Sequence, residues 1–176
     1  MAAAIILLLA NSAIQAQSFL TENGYAEFKS SAPLLTFTGS SKNLTGLIDL
    51  DETLIDFYLD LETLDTGINL RNRHMRESYL ETDKFRFAEF TGTLLTTFDA
   101  GSDEVQPVRV KGEFTMRGIS KEMEIEGTLK NNGGDLILEA SWVILLEDYN
   151  IRRPRVVFYE LAEEQEITIS ATLKRQ

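Results

Sequence analysis

Val108-Arg109-Val110-Lys111-Gly112-Glu113-Phe114-Thr115-Met116, followed through Arg117-Gly118-Ile119-Ser120 by Met123-Glu124-Ile125-Glu126-Gly127-Thr128-Leu129, is the stretch whose reading decides the fold. Val108, Val110, Gly112, Phe114 and Met116 alternate with Arg109, Lys111, Glu113 and Thr115, and the alternation resumes with Met123, Ile125, Gly127 and Leu129 on one face. A period of two is the mark of a strand with one face toward a core and the other toward water. The Arg117-Gly118-Ile119-Ser120 segment reads as a tight turn. Strands this close in sequence pair antiparallel, because a parallel return needs a crossover of about a dozen residues.

Working outward, the same pattern recurs. Segment 166–174 sets Ile167, Ile169, Ala171 and Leu173 against Glu166, Thr168, Ser170, Thr172 and Lys174; segment 53–61 sets Ile55, Phe57, Leu59 and Leu61 against Asp56, Tyr58 and Asp60. In 88–98 the apolar face is Ala88, Phe90, Leu94 and Phe98, and in 136–146 it is Leu136, Leu138, Ala140, Trp142, Ile144 and Leu146. Shorter strands fit 25–29, 34–39 and 44–50. Asp99-Ala100-Gly101-Ser102-Asp103 and Asn131-Asn132-Gly133-Gly134 supply further turns. Only 67–82 lacks alternation; it is rich in helix formers, sets Met75 and Tyr79 four apart, and predicts a short helix near 70–80. Within 147–165, Arg152-Arg153-Pro154 interrupts the ladder and Leu161-Ala162-Glu163-Glu164 suits a helical turn. About eight strands with one apolar face leave two architectures, a sandwich or a closed barrel; strands of this length and the absence of a Cys…Trp…Cys framework favour the barrel.

Composition narrows function. The 176 residues suit one domain with a complete core. With 28 acidic and 17 basic residues the net charge is −11, a field that repels phosphate backbones, so no nucleic-acid partner is expected. The chain has no Cys and a single His, which removes disulfides, thiolate chemistry and multi-histidine metal sites. Phosphate loops of the G-x-G-x-x-G or G-x-x-x-x-G-K type and G-x-S-x-G elbows are missing too, so neither cofactor nor metal is expected. Most acids fall on outward strand positions, a solvated face, which argues against a hydrolytic carboxylate pair and against an enzyme.

The apolar run Ala2–Ala10, AAAIILLLA, is far short of the roughly 20 residues that cross a bilayer. It reads as the core of a secretory signal peptide spanning 1–16, with Ala16 before the cut. The expected organisation is therefore signal peptide 1–16 and a single β-barrel domain 17–176, exported to the periplasm or secreted, with no stable membrane span.

Unusual chemistry concentrates in Arg71-Asn72-Arg73-His74-Met75-Arg76. Three guanidiniums and an imidazole can hold a carboxylate or phosphate by charge-assisted hydrogen bonds, and an imidazole gains charge on mild acidification. The alternative is pairing of these arginines with Asp65, Glu77 or Glu81. Arg152, Arg153 and Arg155 form a second basic patch that suits a solvated loop. Inward aromatics, among them Phe37, Phe57, Phe90, Phe114 and Trp142, either fill the barrel or line a cavity for an apolar ligand. Gly92, Gly112 and Gly127 at inward positions point to a cavity or to a closely approaching chain.

Several segments taken in order are similar to the YceI-like family: Phe37-Thr38-Gly39, Leu44-Thr45-Gly46-Leu47-Ile48-Asp49, Leu64-Asp65-Thr66-Gly67-Ile68, Arg71-Asn72-Arg73-His74-Met75, Tyr79-Leu80-Glu81-Thr82-Asp83-Lys84-Phe85, and Val110 through Lys121. Asp148-Tyr149-Asn150-Ile151 with Pro154 resembles the family's last loop. The resemblance runs from about Asn23 to Leu173. It implies an all-β, eight-stranded, extended lipocalin-like antiparallel barrel whose tunnel binds a polyisoprenoid or other long amphiphilic lipid, without catalysis. Carried over by position, Arg71, His74 and Arg117 are the candidate head-group residues, and Phe37, Phe57, Phe90, Phe114 and Trp142 the tail-lining ones. Asn72 stands where the family commonly has Asp, and Arg86 where it has Pro. A ligand-free envelope structural or interaction barrel is the competing function, and a homodimer stays open.

Overall fold

The computed structural model describes residues 17–152 and 161–176; the expected signal peptide, Arg153, Pro154 and Arg155 lie outside the described residues. Eight strands form one closed antiparallel barrel in sequence order: β1 (Ser18–Ala32), β2 (Leu35–Asp49), β3 (Leu54–Asp60), β4 (Phe87–Leu94), β5 (Gln106–Met116), β6 (Ile119–Asn132), β7 (Asp135–Leu145) and β8 (Glu164–Arg175). β8 returns to pair with β1, so no edge is left unpaired around the ring.

Strict alternation of direction gives the barrel two unlike ends. One end collects the connections 33–34, 61–86, 117–118 and 146–163; the other collects 50–53, 95–105, 133–134 and the outer ends of β1 and β8. At the second end Phe19, Ile48, Leu129, Leu136 and Leu173 are each no more than 3% exposed and seal the interior. At the first end a 3-10 turn (Leu61–Thr63) and a helix cross the mouth. The helix begins as α1 (Asn69–His74) and continues through the π-type turn Met75–Leu80. Met75 and Leu80 are both buried. Five residues apart on an α-helix they would diverge by about 140°, and the wider π turn brings them onto one face.

Several sequence expectations change. The segments 34–39 and 44–50 are one continuous strand, because β2 pairs with β1 along its whole length; the polar Ser40–Asn43 between them had broken the apolar pattern without breaking the ladder. β1 extends well beyond 25–29, with register shifts between Thr21 and Ala26 that conceal its alternation. β4 ends at Leu94 rather than 98. Leu161–Glu164 is not helical, since Glu164 already belongs to β8; the short 3-10 turn is instead Leu146–Tyr149.

The inward glycines serve close chain approach. Gly92 faces Gly112 across β4–β5, and a Cβ on Gly112 would strike the Thr91 carbonyl and lie 2.5 Å from Gly92 Cα. A Cβ on Gly127 would sit 2.7 Å from the Glu139 carbonyl. Phe57 lies over its cross-strand partner Gly46 and occupies the space a Cβ there would need. Bare glycine under an aromatic ring lets the sheet coil tightly enough to close.

Candidate functional site

The strands enclose an apolar cavity of about 210 Å³. A single water needs roughly 10–15 Å³ of such space, so this is a chamber and not a packing defect. Ile48, Leu94, Val108 and Leu129 form its floor near the sealed end; Met75, Tyr79, Leu146 and Ile151 line it near the mouth. Phe37, Phe57, Phe90, Phe114 and Trp142 all line it. Phe114 meets Trp142 edge-on at 6.1 Å and Tyr149 at 5.8 Å, which fixes the wall aromatics as a packed set. Tyr149 is almost fully buried behind Phe114, and burial, with Asp148 beside it, pushes its hydroxyl up to about 12. Of the three inward glycines only Gly127 touches the chamber.

Beyond the chamber lies a polar groove lined by Glu81, Lys84, Arg117, Glu147, Asn150 and Arg152; Tyr79, Ile151 and Leu161 line groove and chamber alike and mark where they meet. Sequence reading used Tyr79 to argue for a helix and, within Tyr79–Phe85, for the family resemblance, but not as a lining residue. Its place at the junction follows from the π turn, which no local pattern announced. Gln165, another lining residue missed in the sequence, is buried and donates to the Ala162 carbonyl at 2.8 Å and to Ser30 Oγ at 3.3 Å, tying the β7–β8 connection to β1.

The three candidate head-group residues lie in different surroundings. Arg71 lines the chamber with its guanidinium 4.3 Å from the Phe37 ring centroid, and Phe37 packs edge-on against Phe28 at 5.9 Å. Its charge is not matched by a carboxylate among the described residues. His74 is exposed on α1 and does not line the chamber. Arg117 is largely buried and committed: it pairs with Glu81 and donates to the Asn150 carbonyl at 2.5 Å. Arg117, Glu81 and Asn150 all have left-handed backbone (φ 54°, 50° and 56°), so one guanidinium pins three reversals of the chain together. Lys84 and then Arg117 hold the Glu81 carboxyl below its ordinary range.

The alternative reading, pairing of the arginine cluster with Asp65, Glu77 or Glu81, is not realised: no ion pair joins Arg71, Arg73 or Arg76 to these acids among the described residues. Asp65 accepts from Asn72 Nδ2 at 2.6 Å and from the Gly67 amide at 2.8 Å, while Asn72 Oδ1 accepts from the Thr66 amide and hydroxyl. Arg76 donates to the Leu64 carbonyl at 3.0 Å. No group of three or more acidic or histidine side chains suited to a metal ion occurs among the described residues, and no described helix is long and apolar enough to cross a membrane.

A family model described as a YceI-like domain matches residues 13–174. Protein YceI of Escherichia coli O6:H1 and that of Shigella flexneri are each 27% identical to this chain over 126 residues, 65% of this chain and 63% of the relative. The match thus spans a little under two-thirds of those relatives' length. Among solved structures, a polyisoprenoid binding domain from Saccharophagus degradans implicated in plant cell wall breakdown superposes with a TM-score of 0.79 at 18% identity, covering 92% of this chain and 99% of that one. Burkholderia cenocepacia BcnA gives 0.66 at 14% identity over 85% and 95%. At these identities the two structures establish a shared barrel.

Proposed function

The chain belongs to the YceI-like family, and from that premise we propose that it is an exported, non-catalytic binding protein that holds the tail of a polyisoprenoid or similar long amphiphilic lipid in the barrel. The observation that carries this reading is an apolar chamber sealed at one end and open to a polar groove at the other. At about 24 cal/mol per Å³, an unfilled volume of this size costs on the order of 5 kcal/mol, a large share of a typical 5–15 kcal/mol stability. An apolar chain in the chamber recovers contacts that the walls otherwise lack. Such a tail fits the lining; a free anion or sugar does not.

Arg71, at the chamber lining and unmatched by a carboxylate among the described residues, is our candidate for reading an anionic head group. Arg117 supports the mouth indirectly, by holding the groove-forming turns. His74 stands exposed on the same helix without lining the chamber.

Organic extraction and mass spectrometry of the natively purified protein test the reading: a long-chain amphiphile near one equivalent is expected. A fluorescent naphthylamine probe should enter the extracted protein and be displaced by a polyprenol, and Val110→Phe, which adds volume inside, should weaken that binding at least about tenfold with the fold retained. No lipid on extraction and no probe uptake would favour a ligand-free interaction barrel. For the head group, Arg71→Ala should weaken a polyprenyl pyrophosphate much more than the neutral alcohol. N-terminal sequencing of envelope material beginning at or near Gln17 is the check on export.

A further inference from the structure

One side of the open rim carries exposed apolar tips. Leu34, at the apex of the β1–β2 hairpin, is 76% exposed, and Ile68 and Leu70, where α1 begins, are 48% and 56% exposed. They belong to one side because the chain at 65–71 runs against the upper part of β2: Ser40 and Asp65 exchange backbone hydrogen bonds at 2.9 Å, and Arg71 stacks on Phe37. We propose that this side of the rim docks on an anionic lipid surface, with the leucines entering the headgroup boundary and the neighbouring guanidiniums facing lipid phosphates.

Charge selects the partner. Residues 66–76 contain Arg71, Arg73 and Arg76 and no acid, in a protein of net charge −11. Asp65, just before them, is engaged by Asn72 and Gly67; Glu77 is the nearest acid after them. Glu164, one position beyond the Ser30–Gln165 pair, flanks the β1–β2 hairpin, and the β7–β8 connection carries Glu147 and Asp148 together with Arg152. Among the described residues the acid-free, basic stretch of the rim is therefore 66–76 itself, and it is there that a negative surface is met favourably. The far end supplies the contrast: Leu95 and Val105 are also exposed, at 48% and 60%, but 95–105 holds Asp99, Asp103 and Glu104 and no base. The 15 residues of β1 span about 50 Å along the strand, several times the roughly 8 Å screening length in physiological salt. Acids at the sealed end therefore leave the rim's attraction intact. The docking face adjoins the chamber through Arg71.

Flotation of the full mature protein with phosphatidylcholine vesicles, with and without phosphatidylglycerol, at low and high salt, tests this. The wild type should float with the anionic vesicles, less so at high salt. Leu34→Asp with Leu70→Asp should lower the bound fraction at least about tenfold, and Arg73→Glu on the order of tenfold, each with an unchanged circular dichroism spectrum. Leu95→Asp with Val105→Asp should behave as wild type. A wild type that does not float, equal loss from the far-end pair, or a change of oligomeric state in Leu34→Asp/Leu70→Asp, which would make the face a contact between copies, overturns the proposal. Naphthylamine binding measured in parallel separates the two readings. Normal uptake without flotation sinks the docking alone, and flotation without uptake sinks the lipid-holding function alone.

Discussion

Asn72 is a buried two-way group: its amide nitrogen donates to Asp65 while its oxygen accepts twice from Thr66. An aspartate there keeps the acceptor and loses the donor, placing a second carboxylate against Asp65. Asn72→Asp should therefore destabilise the protein at neutral pH by about 1–3 kcal/mol, read as a shift of the urea midpoint, with partial recovery in acid. The sign follows from Asp65, whose carboxyl lies below its ordinary range chiefly through the Asn72 amide. That contribution is present above the usual carboxylate range and fades as pH falls through the lowered value. Tyr149 gives the opposite limb. Its hydroxyl is raised to about 12, so above pH about 10 the unfolded chain loses a proton that the folded one keeps, and stability falls with pH by at most about 1.4 kcal/mol per unit until about 12. Tyr149→Phe, which preserves the ring against Phe114, should flatten that alkaline limb in denaturation measured from pH 8 to 11.

At the scale of elements, the β4–β5 ladder depends on two glycines facing each other and the β2–β3 ladder on Phe57 lying over Gly46. A methyl at Gly112 meets the backbone of the facing strand at Thr91 and Gly92. Gly112→Ala should cost more than about 2 kcal/mol, and Gly112→Leu should not yield a folded barrel. A folded Gly112→Leu protein would mean that the two strands can separate without loss. The crossing segment at the mouth is held by Arg117, which joins the exit of the π turn to the last loop through Glu81 and Asn150. Arg117→Met keeps the length and removes the bonds; it should lower the melting temperature by roughly 3–8 °C and affect charged and neutral ligands alike. A selective loss of the charged ligand would instead give Arg117 a direct part in binding.

The whole molecule is a closed barrel around an apolar chamber, with one sealed end and one end crossed by the helix, and the difference comes from which residues each set of connections carries. Phe19 pairs with Ile48 and Leu136 with Leu173 across neighbouring strands, with Leu129 beside Leu136 in the β6–β7 hairpin, and the two groups converge only when β8 closes onto β1. Opening the seal should change binding without touching the mouth: Leu173→Ala removes a fully buried side chain at a cost of about 2–5 kcal/mol and should enlarge the chamber floor. Tighter binding of a longer polyprenol, relative to the wild type, in a competition series would show that the floor sets the length limit.

Period-two alternation in 53–61, 108–129, 136–146 and 166–174 by itself determined that the chain is an antiparallel all-β protein, and which side chains face inward, because strand geometry ties facing direction to sequence parity. The five inward aromatics were legible as a set for the same reason. Tertiary structure alone decided the rest. Closure of β8 onto β1, the union of 34–39 with 44–50 and the use of Gly92, Gly112 and Gly127 for strand contact all depend on partners distant in sequence. So does the separation of Arg71, His74 and Arg117 into a chamber-lining residue, an exposed one and a latch. Arg71 and His74 are three apart in the chain, but their surroundings are set by Phe37 and by the turn of α1 over the mouth, while Arg117 is claimed by Glu81 and Asn150, 36 and 33 residues away. Local periodicity reports which way a side chain points; what waits there is fixed only when the barrel closes.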